Sequence, residues 1–205
     1  FRAADRKRLF EMLKPFRDVL LLSAHSHTQS HVRHGPATDW HGAGRLHEYN
    51  AGAACGAYWS GIKDAEGIPD TAMEDGTPNG YAKLAITADD YRLNWFNARQ
   101  QPNQAMALHA PKVLRQGAYP GFAVFTNVFM ARHDTVVEVR IDAGDWHPMV
   151  RVQQADPRVL AINALDDASE QLRAYDRMPE ATDSKHLWRF ALPTDLAEGI
   201  HAISV

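Results

Sequence analysis

The hydrophobic and polar positions of the chain separate a mixed helix-and-strand part from a later part made of short strands. Residues 3–16 carry apolar side chains at helical spacing among charged ones, which predicts an amphipathic helix that ends at Pro15. Residues 19–22 are four apolar residues without polar alternation, a pattern typical of a short strand buried on both faces of a layered α/β sheet. Such a strand needs a layer on each side, so we expect further elements to complete this sheet.

The middle of the chain predicts short strands joined by loops. We expect strands at residues 29–34 and 45–51, and then a long loop over residues 61–81, where Gly, Pro, Asp and Asn dominate. Residues 80–96 predict a hairpin, because apolar and aromatic residues alternate on both sides of a turn at residues 87–90. The long loop is acidic, but its carboxylates do not follow the spacing of a calcium-binding loop.

The second half of the chain has a β pattern. The predicted strands are residues 122–130, 137–141, 148–153, 186–192 and 199–205, and their spacing favours an immunoglobulin-like sandwich. One helix interrupts them at residues 156–174, where Asp156 and Pro157 supply a cap and a first turn. We therefore predict an α/β part at residues 1–98, a linker at 99–116 and an all-β sandwich at 117–205, with β structure predominating overall.

Composition and charge exclude several classes of function. The chain has 205 residues, of which 45% are hydrophobic and 23% charged, which suffices for a buried core. A formal net charge of −3 gives no sign of a nucleic-acid-binding face. No apolar run approaches the ~20 residues of a membrane span. The single cysteine, Cys55, excludes an internal disulfide and fits a buried structural thiol.

Two histidines stand directly after the apolar strand. In extended chain, His25 and His27 would point to the same side, roughly 6–7 Å apart. Two imidazoles so placed can hold one divalent metal ion or serve two neighbouring ions. The nearby histidines at positions 31, 34, 41 and 47 are further candidates, but hydrogen-bonded loop histidines explain them better, since a metal site needs several converging ligands.

Three blocks of the sequence resemble the calcineurin-like metallophosphoesterases. The segment Ala24-His25-Ser26-His27 resembles the Gly-His-x-His motif that ends their metal site, with Ala in place of Gly. Residues 50–81 are similar to a bacterial subgroup that carries a β-rich domain after the phosphoesterase domain, and residues 184–193 and 199–205 resemble that β-rich domain. The resemblance implies that residues 1–98 are the C-terminal portion of a phosphoesterase domain.

The resemblance also implies a mechanism and a set of site residues. Members of the family hydrolyse phosphate mono- or diesters with two divalent ions, for which manganese, iron or zinc are suitable, and His25 would bind the second ion and His27 the first. Tyr58 and Trp59 would form one wall of the substrate cleft, with Asp75 and Asn79 as further cleft residues. The motifs Gly-Asp-x-x-Asp and Gly-Asn-His do not occur in the chain, so we assign it no catalytic residue. We expect a fragment of a longer protein, with little or no activity of its own.

An alternative interpretation makes the chain a non-enzymatic module. In it, the β-sandwich binds a glycan or a protein partner at the cell envelope, and the two histidines are incidental. The bacterial subgroup itself suggests a location in the envelope or periplasm, or secretion. Metal binding by His25 and His27 distinguishes the two interpretations.

Overall fold

The computed structural model describes residues 2–99, 101, 103–117 and 122–205, and these residues are mostly β structure in several sheets. The helices are α1 (Ala3–Leu13) and α2 (Pro157–Ala168). The strands are β1 (Asp18–Ser23), β2 (Ser30–His34), β3 (Arg45–Asn50), β4 (Gly80–Ile86), β5 (Tyr91–Asn97), β6 (Met106–His109), β7 (Ala123–Val128), β8 (Glu138–Ile141), β9 (His147–Pro148), β10 (Val150–Ala155), β11 (Asp183–Ala191) and β12 (Ile203–Ser204). No helix among these residues is both long and apolar enough to cross a membrane.

The first sheet has the order β1-β3-β2, with β1 parallel and β2 antiparallel to β3. Helix α1 covers one face, where Phe10, Trp40 and Leu46 form a buried cluster. The expectation that β1 is buried on both faces is wrong for the described residues. Within them β1 lies at the edge of the sheet, its central residues are only half buried, and Leu22 is 61% exposed.

The long loop after β3 is exposed at residues 62–67 and mostly buried from residue 69 to residue 80. From Pro69 to Gly80 most residues are buried, and Met73 is completely buried. Two isolated bridges, Lys63–Pro69 and Ala72–Pro78, give the loop internal order. The loop therefore acts as a packing element between the first sheet and the second half of the chain.

Strands β4 and β5 form the predicted hairpin, closed by a hydrogen bond from the Thr87 amide to the Asp90 carbonyl. The second half contains a sheet of order β10-β11-β7-β6 and a sheet of order β12-β8-β9. The two sheets share one hydrophobic core that includes Val124, Val139 and Trp188. This arrangement agrees with a β-rich fold, while the finer immunoglobulin-like topology is not confirmed by it.

Helix α2 begins where the sequence predicted. The Asp156 side chain accepts a hydrogen bond from the Arg158 amide, which caps the helix, and Pro157 occupies the first turn. The helix ends at Ala168, six residues before the predicted end. The segment predicted as a linker contributes strand β6, which pairs with β7. Residues 100, 102 and 118–121, which belong to the predicted linker and to the start of the predicted sandwich, lie outside the described residues.

Candidate functional site

The two candidate metal ligands lie in the loop that follows β1. This loop is tied to the end of β3, because the Asn50 side-chain amide donates to the Thr28 carbonyl and to the Ser26 hydroxyl, both at 2.7 Å. His25 (φ 93°) and His27 (φ 51°) have left-handed backbone conformations. The extended geometry assumed for them is therefore incorrect, and their backbone turns sharply away from the strand direction.

The ring of His27 is fixed by a backbone carbonyl. Its Nδ1 lies 2.9 Å from the carbonyl oxygen of Gly56. Because a carbonyl only accepts, Nδ1 carries the hydrogen, and in the neutral ring Nε2 then keeps its lone pair. In metal sites a ligating histidine usually donates its second ring N–H in this manner, which orients the ligand atom. His25, by contrast, is exposed.

The loop that supplies this carbonyl is also unusual in its backbone. Tyr58 and Trp59 have φ values of 66° and 57°, so the loops at 25–27 and 58–59 hold four of the six non-glycine residues with positive φ in the described part of the chain. Such conformations are unfavourable for bulky residues, and they concentrate at functional sites where the surrounding structure enforces them. The clustering marks these two neighbouring loops as a functional candidate.

Tyr58 is the predicted cleft residue that the structure brings next to a predicted ligand. Its ring centroid lies 4.6 Å from that of His27, and the side chain is 65% exposed. Trp59 points elsewhere and lines a separate cavity of about 420 Å³ against residues such as Leu172 and Asp176. Tyr58 is therefore available to a ligand at His27, and Trp59 is not its immediate neighbour.

Asp75 and Asn79 are buried beneath the loops. The Asn79 side chain donates to the Ala54 carbonyl at 2.9 Å. Asp75 is 2% exposed, and its carboxylate accepts hydrogen bonds from the backbone amides of Gln29 (2.6 Å) and Thr77 (3.0 Å). Their predicted place in a substrate cleft stays a prediction, but these contacts give both residues a structural role.

A buried ion pair completes the environment of Asp75. His186, also 2% exposed, has Nε2 at 3.1 Å from Asp75 Oδ2 and Nδ1 at 2.6 Å from the side-chain oxygen of Asn127. Burial acts to raise the pKa of Asp75, but the facing His186 and the two backbone donors outweigh it and lower the pKa. Because both ring nitrogens face acceptors, His186 donates from both and is positively charged.

One carboxyl beside the candidate site was not singled out from the sequence. Burial raises the pKa of Glu74, and the smaller electrostatic influences are those of His27, which lowers it, and Asp75, which raises it, so these side chains are close enough to interact. Sequence reasoning also missed the supporting roles of Asn50 and Gly56. Both lie at the start of the block at 50–81, whose Gly-rich pattern was the available signal.

The other histidines near β2 and β3 bond within the protein. His34 Nε2 lies 2.8 Å from a carboxylate oxygen of Glu48, and His31 Nδ1 lies 2.9 Å from His47 Nε2. No group of three or more His, Cys, Asp or Glu side chains within the described residues could hold a metal ion. The imidazole of His27 thus suits a metal ligand, but the described residues do not supply the ligand set of a closed site.

Comparison with known proteins gives one result. A search of curated proteins and a search of solved structures each found no match. Residues 48–205 match the family described as the C terminal of calcineurin-like phosphoesterase. This match spans more than half of the chain, including the loop of Gly56 and all of the sheets of the second half. The chain therefore belongs to the family of C-terminal regions of calcineurin-like phosphoesterases.

Proposed function

We propose that the chain is the C-terminal part of a metal-dependent phosphoesterase that hydrolyses phosphate mono- or diesters. In this proposal His25 and His27 contribute two ligands to a centre of two divalent ions, and Tyr58 stands at the edge of the substrate cleft. The two-sheet unit of the second half is an accessory domain, for which we propose an immunoglobulin-like sandwich. The family membership supports a phosphoesterase parent.

The observation that carries the proposal is the hydrogen bond between His27 and the Gly56 carbonyl. It leaves Nε2 as the free ligand atom of the neutral ring, and it is made by the loop in which Tyr58 and Trp59 have positive φ. A hydrogen bond of this kind orients a ligating histidine, which supports His27 as a ligand.

The same residues limit what the chain does alone. Each ion of a tight site needs three or four protein ligands, and the described residues offer at most the two loop imidazoles. When bound, the ions would supply a hydroxide nucleophile and screen the phosphoryl oxygens. We therefore propose that polypeptide outside these 205 residues supplies the remaining ligands and that the isolated chain is inactive.

Metal titration of the purified chain tests the ligand assignment. We expect Zn²⁺ to shift the NMR signals of the His25 and His27 imidazoles first, and to bind more weakly in His25→Ala and His27→Ala variants. Loss of the Nε2 ligand should cost at least the 10–100-fold in affinity that is typical of outer-shell partners. His41→Ala is the matched control, since His41 is an exposed histidine outside the site.

Two results would contradict the proposal. If both variants bind Zn²⁺ like the parent, the ligand assignment fails, and the non-enzymatic binding module becomes the better explanation. If the chain alone turns over bis-p-nitrophenyl phosphate in the presence of Mn²⁺, the site is complete within these residues and the proposed inactivity is wrong.

A further inference from the structure

A second polar cavity lies away from the histidine loop. It has a volume of about 390 Å³, within the range of small-molecule sites, and it opens between the first sheet, strand β5 and the turn after β7. Asp18 and Arg45, at the amino ends of β1 and β3, line it, whereas His25 follows the carboxyl end of β1. The length of β1, about 16 Å at ~3.3 Å per residue, separates these two ends.

One wall of the cavity is a chain of hydrogen-bonded rings. His31 Nδ1 lies 2.9 Å from His47 Nε2, and His47 Nδ1 lies 2.5 Å from the Tyr91 hydroxyl. The rings of His31 and His47 stack at 5.1 Å, and those of His47 and Tyr91 at 5.8 Å. At the end of this chain, His31 Nε2 is buried and has no hydrogen-bond partner among the described residues.

The imidazoles of His31 and His47 are both neutral at pH 7. Burial, followed by the neighbouring His47 and Arg132, lowers the pKa of His31 to about 4. Burial also lowers the pKa of His47, with Arg132 and Arg33 as the next causes. One hydrogen therefore lies between His31 and His47, and one between His47 and Tyr91. The third hydrogen of these rings is then free to donate, either from His31 Nε2 or from the Tyr91 hydroxyl.

The charges around these rings are positive. Arg33 on β2 and Arg132 after β7 line the cavity, and no carboxylate of the described residues pairs with either guanidinium. Arg92 also lines it, while Arg45 is neutralised by Asp18 at 2.8 Å.

Two carboxylates, Asp89 and Asp90, also line the cavity and precede Tyr91 in the chain. At Tyr91, however, the influence of Arg132 and Arg33 exceeds that of Asp90, and the Arg132 guanidinium acts on both His31 and His47. The ring end of the cavity is therefore an electropositive pocket.

We propose that this cavity binds the phosphate group of a small phosphorylated molecule, at a site separate from the histidine loop. Guanidinium forks from two distant segments match the oxygens of phosphate, and charge-assisted hydrogen bonds of this kind are the strong ones. The ring chain supplies an additional donor from His31 or Tyr91 without adding charge. This site goes beyond the proposed hydrolytic function and does not depend on it.

Calorimetric titration with inorganic phosphate, at low ionic strength and with EDTA present, tests the proposal. Chelation removes divalent ions, so the histidine loop cannot contribute through bound metal. We expect saturable binding with a dissociation constant of about 1 mM or lower. The variants Arg33→Gln and Arg132→Gln should each weaken phosphate binding about tenfold, since each removes one charge-assisted contact.

Matched controls separate this site from general charge effects and from the proposed metal site. Arg8→Gln, an exposed change of the same charge on α1, and a His25→Ala/His27→Ala double variant should both bind phosphate like the parent. Three outcomes would overturn the proposal. They are an absence of saturable binding, unchanged affinity in the Arg33 and Arg132 variants, or citrate binding in the cavity where phosphate does not.

Discussion

The buried pair of Asp75 and His186 gives the sharpest stability prediction. In the parent, both carboxylate oxygens of Asp75 accept hydrogen bonds. In an Asp75→Asn variant, one of these oxygens is replaced by an NH₂ group, which donates and cannot accept. At least one facing donor, either a backbone amide or His186, then lacks an acceptor. The positive charge of His186 also loses its counter-charge in a fully buried position.

The expected cost follows from this geometry. Breaking a buried ion pair by removing one partner typically costs 3–5 kcal/mol, because the remaining charge is left uncompensated. That is a large part of the 5–15 kcal/mol by which domains are usually stable. With an m-value of about 2–3 kcal/mol per molar urea, the unfolding midpoint should fall by about 1–2.5 M.

Urea unfolding followed by circular dichroism measures this change, and the chain offers a matched control. Asp70 makes the same kind of side-chain pair with Arg158, but it is exposed, so Asp70→Asn should cost no more than about 1 kcal/mol. If Asp75→Asn unfolds within 1 kcal/mol of the parent, the charged state assigned to His186 is wrong. If the two variants cost the same, burial does not govern the effect.

The pair also predicts a pH dependence of stability. The pKa of Asp75 is lower in the folded chain than in the unfolded one, so its contribution is complete above the ordinary carboxyl range. It is lost as the pH falls below that range, toward the folded pKa. As the pH falls below about 5, the parent should lose stability more steeply than Asp75→Asn, which has no carboxyl to protonate at this position.

Two further predictions concern the loops and the ring chain. In Gly56→Ala, the new Cβ would lie 2.0 Å from the Thr71 carbonyl oxygen, at a φ of 56°. The free energy of unfolding should therefore drop by more than the roughly 1–2 kcal/mol that the left-handed conformation alone costs. Gly67→Ala, with a φ of 76° and open space around it, measures that conformational cost, and equal losses in the two variants would refute the close approach. By NMR titration, the His31 imidazole should stay neutral down to about pH 4, and a midpoint near the ordinary value of 6.5 would show that it is not buried against His47.

Local signals in the sequence were sufficient for several elements. The hairpin of β4 and β5 was predictable because side chains alternate around a short polar turn, and α2 because Asp156 and Pro157 form a standard helix start. Strand β6 was missed because its four residues, Met106–His109, are too few to establish a period and lie among turn-forming residues.

Features that depend on distant partners could not be predicted. The loop around Asp75 has the composition of an exposed loop, but its burial depends on His186, which is 111 residues away. The backbone conformation of His25 and His27 was mispredicted for a similar reason. A strand pattern ends at Ser23, and the turn that follows is held by Asn50 and Gly56 rather than by local residues.

The contacts that hold the histidine loop connect the candidate site to the matched family. His25 and His27 precede residue 48, where the family match begins. Three groups that position the loop of these histidines lie within the matched residues. The Asn50 side chain binds the turn, the Gly56 carbonyl orients His27, and Asp75 accepts from the Gln29 amide just beyond the loop.

Since Asp75 is itself fixed by His186 on β11, the geometry of the loop depends on the sheets of the second half. The C-terminal region therefore also contacts and supports the backbone that follows His27. It follows that Asp75→Asn should broaden the His27 imidazole signals and weaken Zn²⁺ binding even under conditions where the variant stays folded. A variant that is folded, less stable and yet binds Zn²⁺ like the parent would separate the two roles and contradict this coupling.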